Sequence, residues 1–273
     1  MQYWKAHYKD ALHDADIRII NEEDTAEPLS FTLDGIRFQG SSCADFHLAE
    51  EAHYDEAKEK FCLLKWGGHY TEYHITTPYS YDLQRYALTL EIPVNAYRKK
   101  DGAFVLGTVC LAYQYTEHDE AQHQSIYLCD DTRVYRDDAA VLDFSLLVDG
   151  LRYESSRKSL YFEDALRNIC TQMKDNYLLK CCFTCQYSDY SPYGNDDYGT
   201  MLCYRRYKED CLKVNNKEEY FRYLEGKDCD VRQETYLCGQ YHPRSQAGGY
   251  RGFVDGARDL QKEGEKDEQT GNL

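Results

Sequence analysis

The sequence predicts a mainly β protein of the α+β class. It combines an antiparallel sandwich or open barrel in the N-terminal region with a following Cys/Tyr-rich α+β segment carrying two short helices. Three observations predict it. Short alternating runs dominate as far as Arg152, Asp-Gly pairs punctuate those runs, and helical spacing of apolar residues begins only at Phe162.

In chain order, residues 30–33 and 36–38 flank Asp34 and Gly35 and read as a hairpin, because Asp-Gly supplies the positive φ angles of a tight turn. Residues 86–92 place Leu88, Leu90 and Ile92 on one face and Ala87, Thr89 and Glu91 on the other, and Pro93 suggests a strand end or an edge. Asp101 and Gly102 open a second hairpin into the β-branched and aromatic run of residues 103–115. Strands are expected at residues 125–129 and 141–148, and Asp149 with Gly150 turns the chain into residues 151–153. Phe162, Leu166, Ile169, Cys170 and Met173 then recur on one helical face. Asn216 with Glu219 starts a second helix, which Gly226 ends. These elements divide the chain into a β-rich region at 1–158, a helix plus Cys/Tyr-rich region at 159–254 and a polar tail at 255–273.

Composition narrows the function classes. The 273 residues carry a formal charge of −16, which disfavours nucleic acid as a ligand, since polyanion binding draws its affinity from lysine and arginine. A basic protein partner fits that charge better. The charged N-terminus lacks the apolar core of a secretory signal, and the longest apolar stretches fall short of the roughly 20 residues of a membrane-spanning helix. A soluble cytoplasmic protein follows as the expectation, with its 12 cysteines reduced. Cys110, Cys129 and Cys170 sit inside apolar runs, where a thiol behaves as a small hydrophobe.

Chemistry concentrates between the two helices. Ser188, Asp189, Ser191, Pro192, Gly194 and Asn195 are turn formers in a tyrosine-rich loop, residues 187–198, that reads as a specified conformation. Cys182 and Cys185 form a CxxC pair, and Cys203 and Cys238 would complete a tetrahedral zinc site, with His242 as an alternative fourth ligand. The competing reading puts Cys182 and Cys185 on opposite faces of a strand, since Phe183 and Thr184 are not turn signals. A thioredoxin-like use of the CxxC lacks its βαβ context. Ser188, Asp189 and His242 lack a nucleophile elbow, and His69, Glu72 and His74 fall in an expected strand without the HExxH pattern. Asp189, Tyr190, Tyr193, Arg205 and Arg251 are the candidate binding residues, with Arg251 also placed to pair with Glu234.

The CxxCQYSDYSPYGNDDYG run, with CYRR, QETYLC and GYRG after it, resembles an uncharacterised bacterial family associated with toxin-immunity loci, over residues 180–252. The resemblance implies a cytosolic protein that neutralises a cognate toxin by binding it, implies no catalytic residue, and places Cys182, Cys185, Cys203 and Cys238 at its motif positions. A binding protein is therefore the leading expectation. An enzyme acting at the 187–198 loop and a zinc-stabilised structural module are the alternatives.

Overall fold

A computed structural model describes residues 1–22, 25–43, 45–70, 75–115, 139–155, 162–192, 198–199 and 201–244. The expected strand at 125–129, Cys129, Tyr193, Arg251 and the tail from 255 lie outside the described residues. The fold is mainly β and antiparallel, as the alternation predicts. It divides into two compact units, the first comprising Met1–Leu90, Leu111–Asp143 and Lys158–Leu160, the second Glu91–Cys110, Phe144–Arg157 and Tyr161–Leu273.

The first unit begins with β1 (Gln2–Lys9) and β2 (Asp14–Asn21), paired antiparallel from Gln2↔Asn21 to Lys9↔Asp14. Trp4, Ala6 and Tyr8 are buried on one side of β1 and meet Ile19 and Ile17 on the same face of β2, as a period of two requires. Asp10 shapes the turn between them. Its carboxylate accepts from the N–H groups of Leu12 and His13 at 2.8 and 2.7 Å and from the Tyr8 hydroxyl at 2.8 Å. The hairpin of β3 (Leu29–Leu33) and β4 (Ile36–Gly40) forms as predicted, with Asp34 at φ 48° and Gly35 at φ 80°.

Next come β5 (His47–Leu48), a helix α1 (Tyr54–Lys60) within the region read as β-rich, β6 (Leu63–Tyr70) and β7 (Ile75–Leu83). Helix α1 buries only Ala57, so it carries little amphipathic signal in the sequence. His69 lies in β6, opposite Thr76, while Glu72 and His74 fall outside the described residues. The core of this unit is aromatic: Phe31 stacks on Phe38 at 5.3 Å and meets Phe46 edge-on at 4.9 Å, and Phe38 meets Phe61 edge-on at 4.9 Å.

Three long strands, β8 (Tyr86–Arg98), β9 (Ala103–Tyr115) and β10 (Ala139–Val148), contribute residues to both units, and β11 (Leu151–Glu154) pairs with β10. Strand β8 runs straight through Pro93, so a strand end there is corrected. The partner β12 (Tyr177–Leu179) engages β8 beyond Pro93, at Ala96, Tyr97 and Arg98, which leaves the proline outside that ladder. Arg98 bridges Asp101 at 2.8 Å and Asp149 at 2.7 Å, tying together the two turn regions that carry the other Asp-Gly pairs. Helix α2 (Phe162–Met173) buries Phe162, Ala165, Leu166, Ile169, Cys170 and Met173, the predicted face with Ala165 added, at about 1.5–3 kcal/mol for each large apolar side chain.

The second unit also holds a three-stranded sheet in the order β13 (Ser188–Asp189), β14 (Met201–Cys203), β15 (Asp230–Arg232). Two short helices, α3 (Lys208–Cys211) and α4 (Lys217–Tyr223), flank a small core of Tyr204, Cys211, Val214 and Leu224. Asn216 caps α4 as predicted, accepting from the Glu219 N–H at 2.9 Å, while Glu219 reaches back one residue further than expected, to the Asn215 N–H at 2.8 Å. Gly226, at φ 74°, follows the helix end. No helix among the described residues is long and apolar enough to cross a membrane.

Candidate functional site

The cysteine-rich segment folds differently from the strand its sequence suggests. Strand β12 ends at Leu179, and Cys182–Thr184 form a single 3₁₀ turn, which corrects the competing reading that Cys182 and Cys185 lie on opposite faces of a strand. Thr184 is the cause. Fully buried, its hydroxyl donates to the Leu179 carbonyl at 2.6 Å, stands 3.1 Å from the Tyr241 hydroxyl, and accepts from the Cys181 N–H at 3.4 Å. A side chain that satisfies local backbone groups in this way holds a turn without glycine or proline.

Long-range bonds then fix the turn in place. The Cys182 N–H donates to the Tyr236 carbonyl at 2.7 Å, the Phe183 N–H to the Glu234 carbonyl at 3.0 Å, and the Gln186 N–H to the His242 carbonyl at 2.9 Å. On its other side, the Ser188 hydroxyl donates to the Cys182 carbonyl, and Ser188 stands opposite Cys203 in the β13–β14 register. Ser188 is thus spent on the backbone, and His242 bonds the Pro243 carbonyl at 3.2 Å, so the two make no catalytic couple.

Of the four candidate metal ligands, Cys182, Cys185 and Cys203 are buried and Cys238 is half-buried. The strongest electrostatic interaction within this set is between Cys182 and Cys203. Cys182 holds the Cys203 thiol below the usual thiol range, with the Arg205 N–H and guanidinium adding to the effect and burial opposing it. Cys182 is pushed well above the usual thiol range by Cys203 and by burial. Burial likewise raises Cys185, whose sulfur accepts from the N–H groups of His242 and Tyr187 and feels Cys203 and Cys238. Cys181 and Cys211 are pushed up to about 12 by burial. Among the described residues, no group of three or more His, Cys, Asp or Glu is placed to hold a metal ion, and the 11 described cysteines are free thiols.

A polar knot lies beside the thiols. Arg244, absent from the sequence reading, is fully buried and donates to Asp189 at 3.2 Å, to the Cys185 carbonyl at 3.1 Å and to the Ser188 carbonyl. Glu234 is also fully buried, and its carboxylate accepts from the Tyr190 hydroxyl at 3.0 Å and the Gly199 N–H at 2.7 Å. Tyr198 directs its hydroxyl to Gln233 at 3.1 Å and Thr235 at 2.6 Å. Arg205 pairs with Asp230 at 2.9 Å. Of the candidate binding residues, Asp189 and Tyr190 are therefore turned into this knot and Arg205 is engaged elsewhere. Among the described residues of the loop, Tyr190 and Tyr198 are buried and spend their hydroxyls on Glu234, Gln233 and Thr235.

An exposed feature of the second unit also escaped the sequence. Phe104, Leu106 and Leu147 are 61%, 69% and 44% exposed on adjoining strands β9 and β10. A Cβ on Gly107 would lie 3.2 Å from the Leu147 carbonyl, which brings these stretches of β9 and β10 side by side. Tyr97 meets Phe104 edge-on at 5.6 Å, and the Lys180 ammonium sits 3.9 Å from the Phe104 ring centroid. The run of residues 103–115 is apolar on both faces, so no alternation distinguishes the exposed row from the buried one.

Residues 2–188 match the model of a family of unknown function (DUF6304). The match covers the β-rich strands and overlaps the resemblance at 180–252 only over 180–188, and nothing in it points to bacteria or to toxin-immunity loci. No curated protein and no solved structure matches the chain.

Proposed function

We propose that this chain, which belongs to that family of unknown function, is a binding protein that takes up a basic protein partner on the outward sheet face of its second unit. The exposed row of Phe104, Leu106 and Leu147 carries this reading, because contiguous apolar side chains in water mark interaction surfaces. Burying one such side chain contributes about 1.5–3 kcal/mol, so the row supplies anchors that offset part of an association cost of about 4–15 kcal/mol. The formal charge of −16 selects the partner's sign and speeds encounter, while affinity resides in the apolar row. A toxin encoded beside the gene is the partner class that fits best. Catalysis at the 187–198 loop is the weaker reading, since Asp189 and Arg205 are committed to Arg244 and Asp230.

The test is pairwise binding to purified products of adjacent genes, with and without Leu106→Glu and Leu147→Glu. One product should bind, more slowly as salt rises, and each substitution should weaken it at least about tenfold, or about 1.4 kcal/mol. If no adjacent product binds, or if binding ignores both substitutions, the reading is wrong.

A further inference from the structure

We infer that Arg205, Arg206 and Arg232 form an anion-recognition cluster in the second unit that takes a phosphoryl group, either free phosphate or the head of a small phosphomonoester. Three guanidiniums converge there on one carboxylate. Asp230 receives Arg205 at 2.9 Å and Arg232 at 3.6 Å on one oxygen, and Arg206 at 3.0 Å on the other. Three positive charges less one negative leave these four groups a surplus of two, in a chain whose formal charge is −16.

Local structure explains how adjacent arginines reach the same acid. The Tyr207 N–H donates to the Tyr204 carbonyl at 2.8 Å, which makes Arg205 and Arg206 the central pair of a turn leaving β14. Both ends of that turn are held. The buried Tyr204 donates its N–H to the Tyr187 carbonyl at 2.8 Å and brings its hydroxyl 2.7 Å from that of Tyr220, while Tyr207 packs against the small core. Arg232 comes from β15, two residues beyond Asp230 and so on the same face of that strand. Strand β15 is an edge of the small sheet, and Arg205 and Arg206 keep 24% and 51% of their side chains exposed, so a ligand reaches them from solvent. Arg232, 9% exposed, is the buried member of the set.

Stability does not account for this arrangement. Partly exposed ion pairs contribute little, and each arginine after the first meets like charge on its neighbours. The three guanidiniums bring roughly fifteen N–H donors against about four acceptor positions on a single carboxylate. Arg232 directs one of them to the Val231 carbonyl at 3.3 Å. A phosphoryl group supplies the missing acceptors and charge. Its terminal oxygens point in different directions and accept arginine forks from several sides, and its dianion matches the surplus of two. Asp230 spaces and orients the guanidiniums when no ligand is bound. Binding of this kind involves no covalent step.

The test is isothermal titration of the full chain, at constant ionic strength, with inorganic phosphate, phenyl phosphate and benzoate. It is repeated on Arg205→Gln, Arg206→Gln and Arg206→Lys, with Lys58→Gln in the first unit as a control. Inorganic phosphate or phenyl phosphate should bind with a Kd of about 1 mM or tighter, and each glutamine substitution should weaken it at least about tenfold. Arg206→Lys should recover only part of the loss, because an ammonium lacks the fork, and Lys58→Gln should bind like the wild type. Equal affinity for the two phosphates supports the phosphoryl group alone as the ligand, and tighter binding of phenyl phosphate supports a phosphomonoester. Arg206 is half exposed, so its variants keep the test independent of folding, which circular dichroism checks. Absence of binding by both phosphates, benzoate binding as tightly as phenyl phosphate, glutamine variants that bind like the wild type, or an equal loss in Lys58→Gln would each overturn the assignment.

Discussion

Replacing Arg244 by Met tests whether the polar knot holds the cysteine-rich turn. The substitution keeps much of the side-chain stem but removes a fully buried guanidinium that donates to Asp189, to the Cys185 carbonyl and to the Ser188 carbonyl. Breaking a buried pair by removing one partner costs about 3–5 kcal/mol, because the remaining charge stays desolvated. Asp189 keeps 15% of its side chain exposed, which relieves part of that cost, but two backbone acceptors lose their donor as well. The expected destabilisation is about 3–4 kcal/mol, or a fall in Tm of roughly 6–16 °C at about 2–4 °C per kcal/mol. Urea and thermal melts of the full chain measure it. Arg205→Met is the control: its pair with Asp230 is partly exposed, at 24% and 19%, and should contribute no more than about 1 kcal/mol. If Arg244→Met lies within about 1 kcal/mol of the wild type, or if Arg205→Met costs as much, Arg244 does not organise the knot.

Two further outcomes follow from single groups. Asn216→Ala removes the cap of α4 and should cost about 1 kcal/mol, seen as faster hydrogen exchange at the Glu219 amide; unchanged exchange there would contradict the capping role. Cys203 should show a thiolate absorbance step near pH 6 that Cys203→Ser abolishes, and absence of any such step below about pH 8 would contradict a lowered Cys203 thiol. The linkage has a definite sign. Because the folded value lies below the unfolded one, the contribution of Cys203 to stability is full above the unfolded thiol value and is lost as pH falls through about 6.

The elements that were legible in the sequence are those whose cause is local. Asp34 with Gly35 and Asp149 with Gly150 encode positive φ angles in two adjacent residues, and both pairs adopt them. Leu88, Leu90 and Ile92 alternate with polar residues and are buried, and the apolar face of α2 repeats at helical spacing. Helix α1 was not legible, because one buried alanine gives no periodicity. The turn at Cys182 was misread because its determinant, Thr184, is ordinary in a strand. Its bonds to the carbonyl of Leu179, to the backbone of Cys181 and to the hydroxyl of Tyr241, 57 residues away, make it a turn former.

The candidate site divides along the same line. The sequence identified the cysteines and the tyrosine-rich loop and predicted a specified conformation, since turn formers and tyrosines restrict the backbone and seek partners wherever they are placed. Which groups would meet was beyond it. Arg244 joins Asp189 across 55 residues, Tyr190 joins Glu234 across 44, and Ser188, whose hydroxyl holds the Cys182 carbonyl, stands opposite Cys203 through the register of a sheet that single-sequence periodicity does not specify. Residue types and local turns are properties of neighbours in the chain. Burial of a cation and exposure of an apolar row depend on contacts between distant segments, and only the tertiary structure decided them.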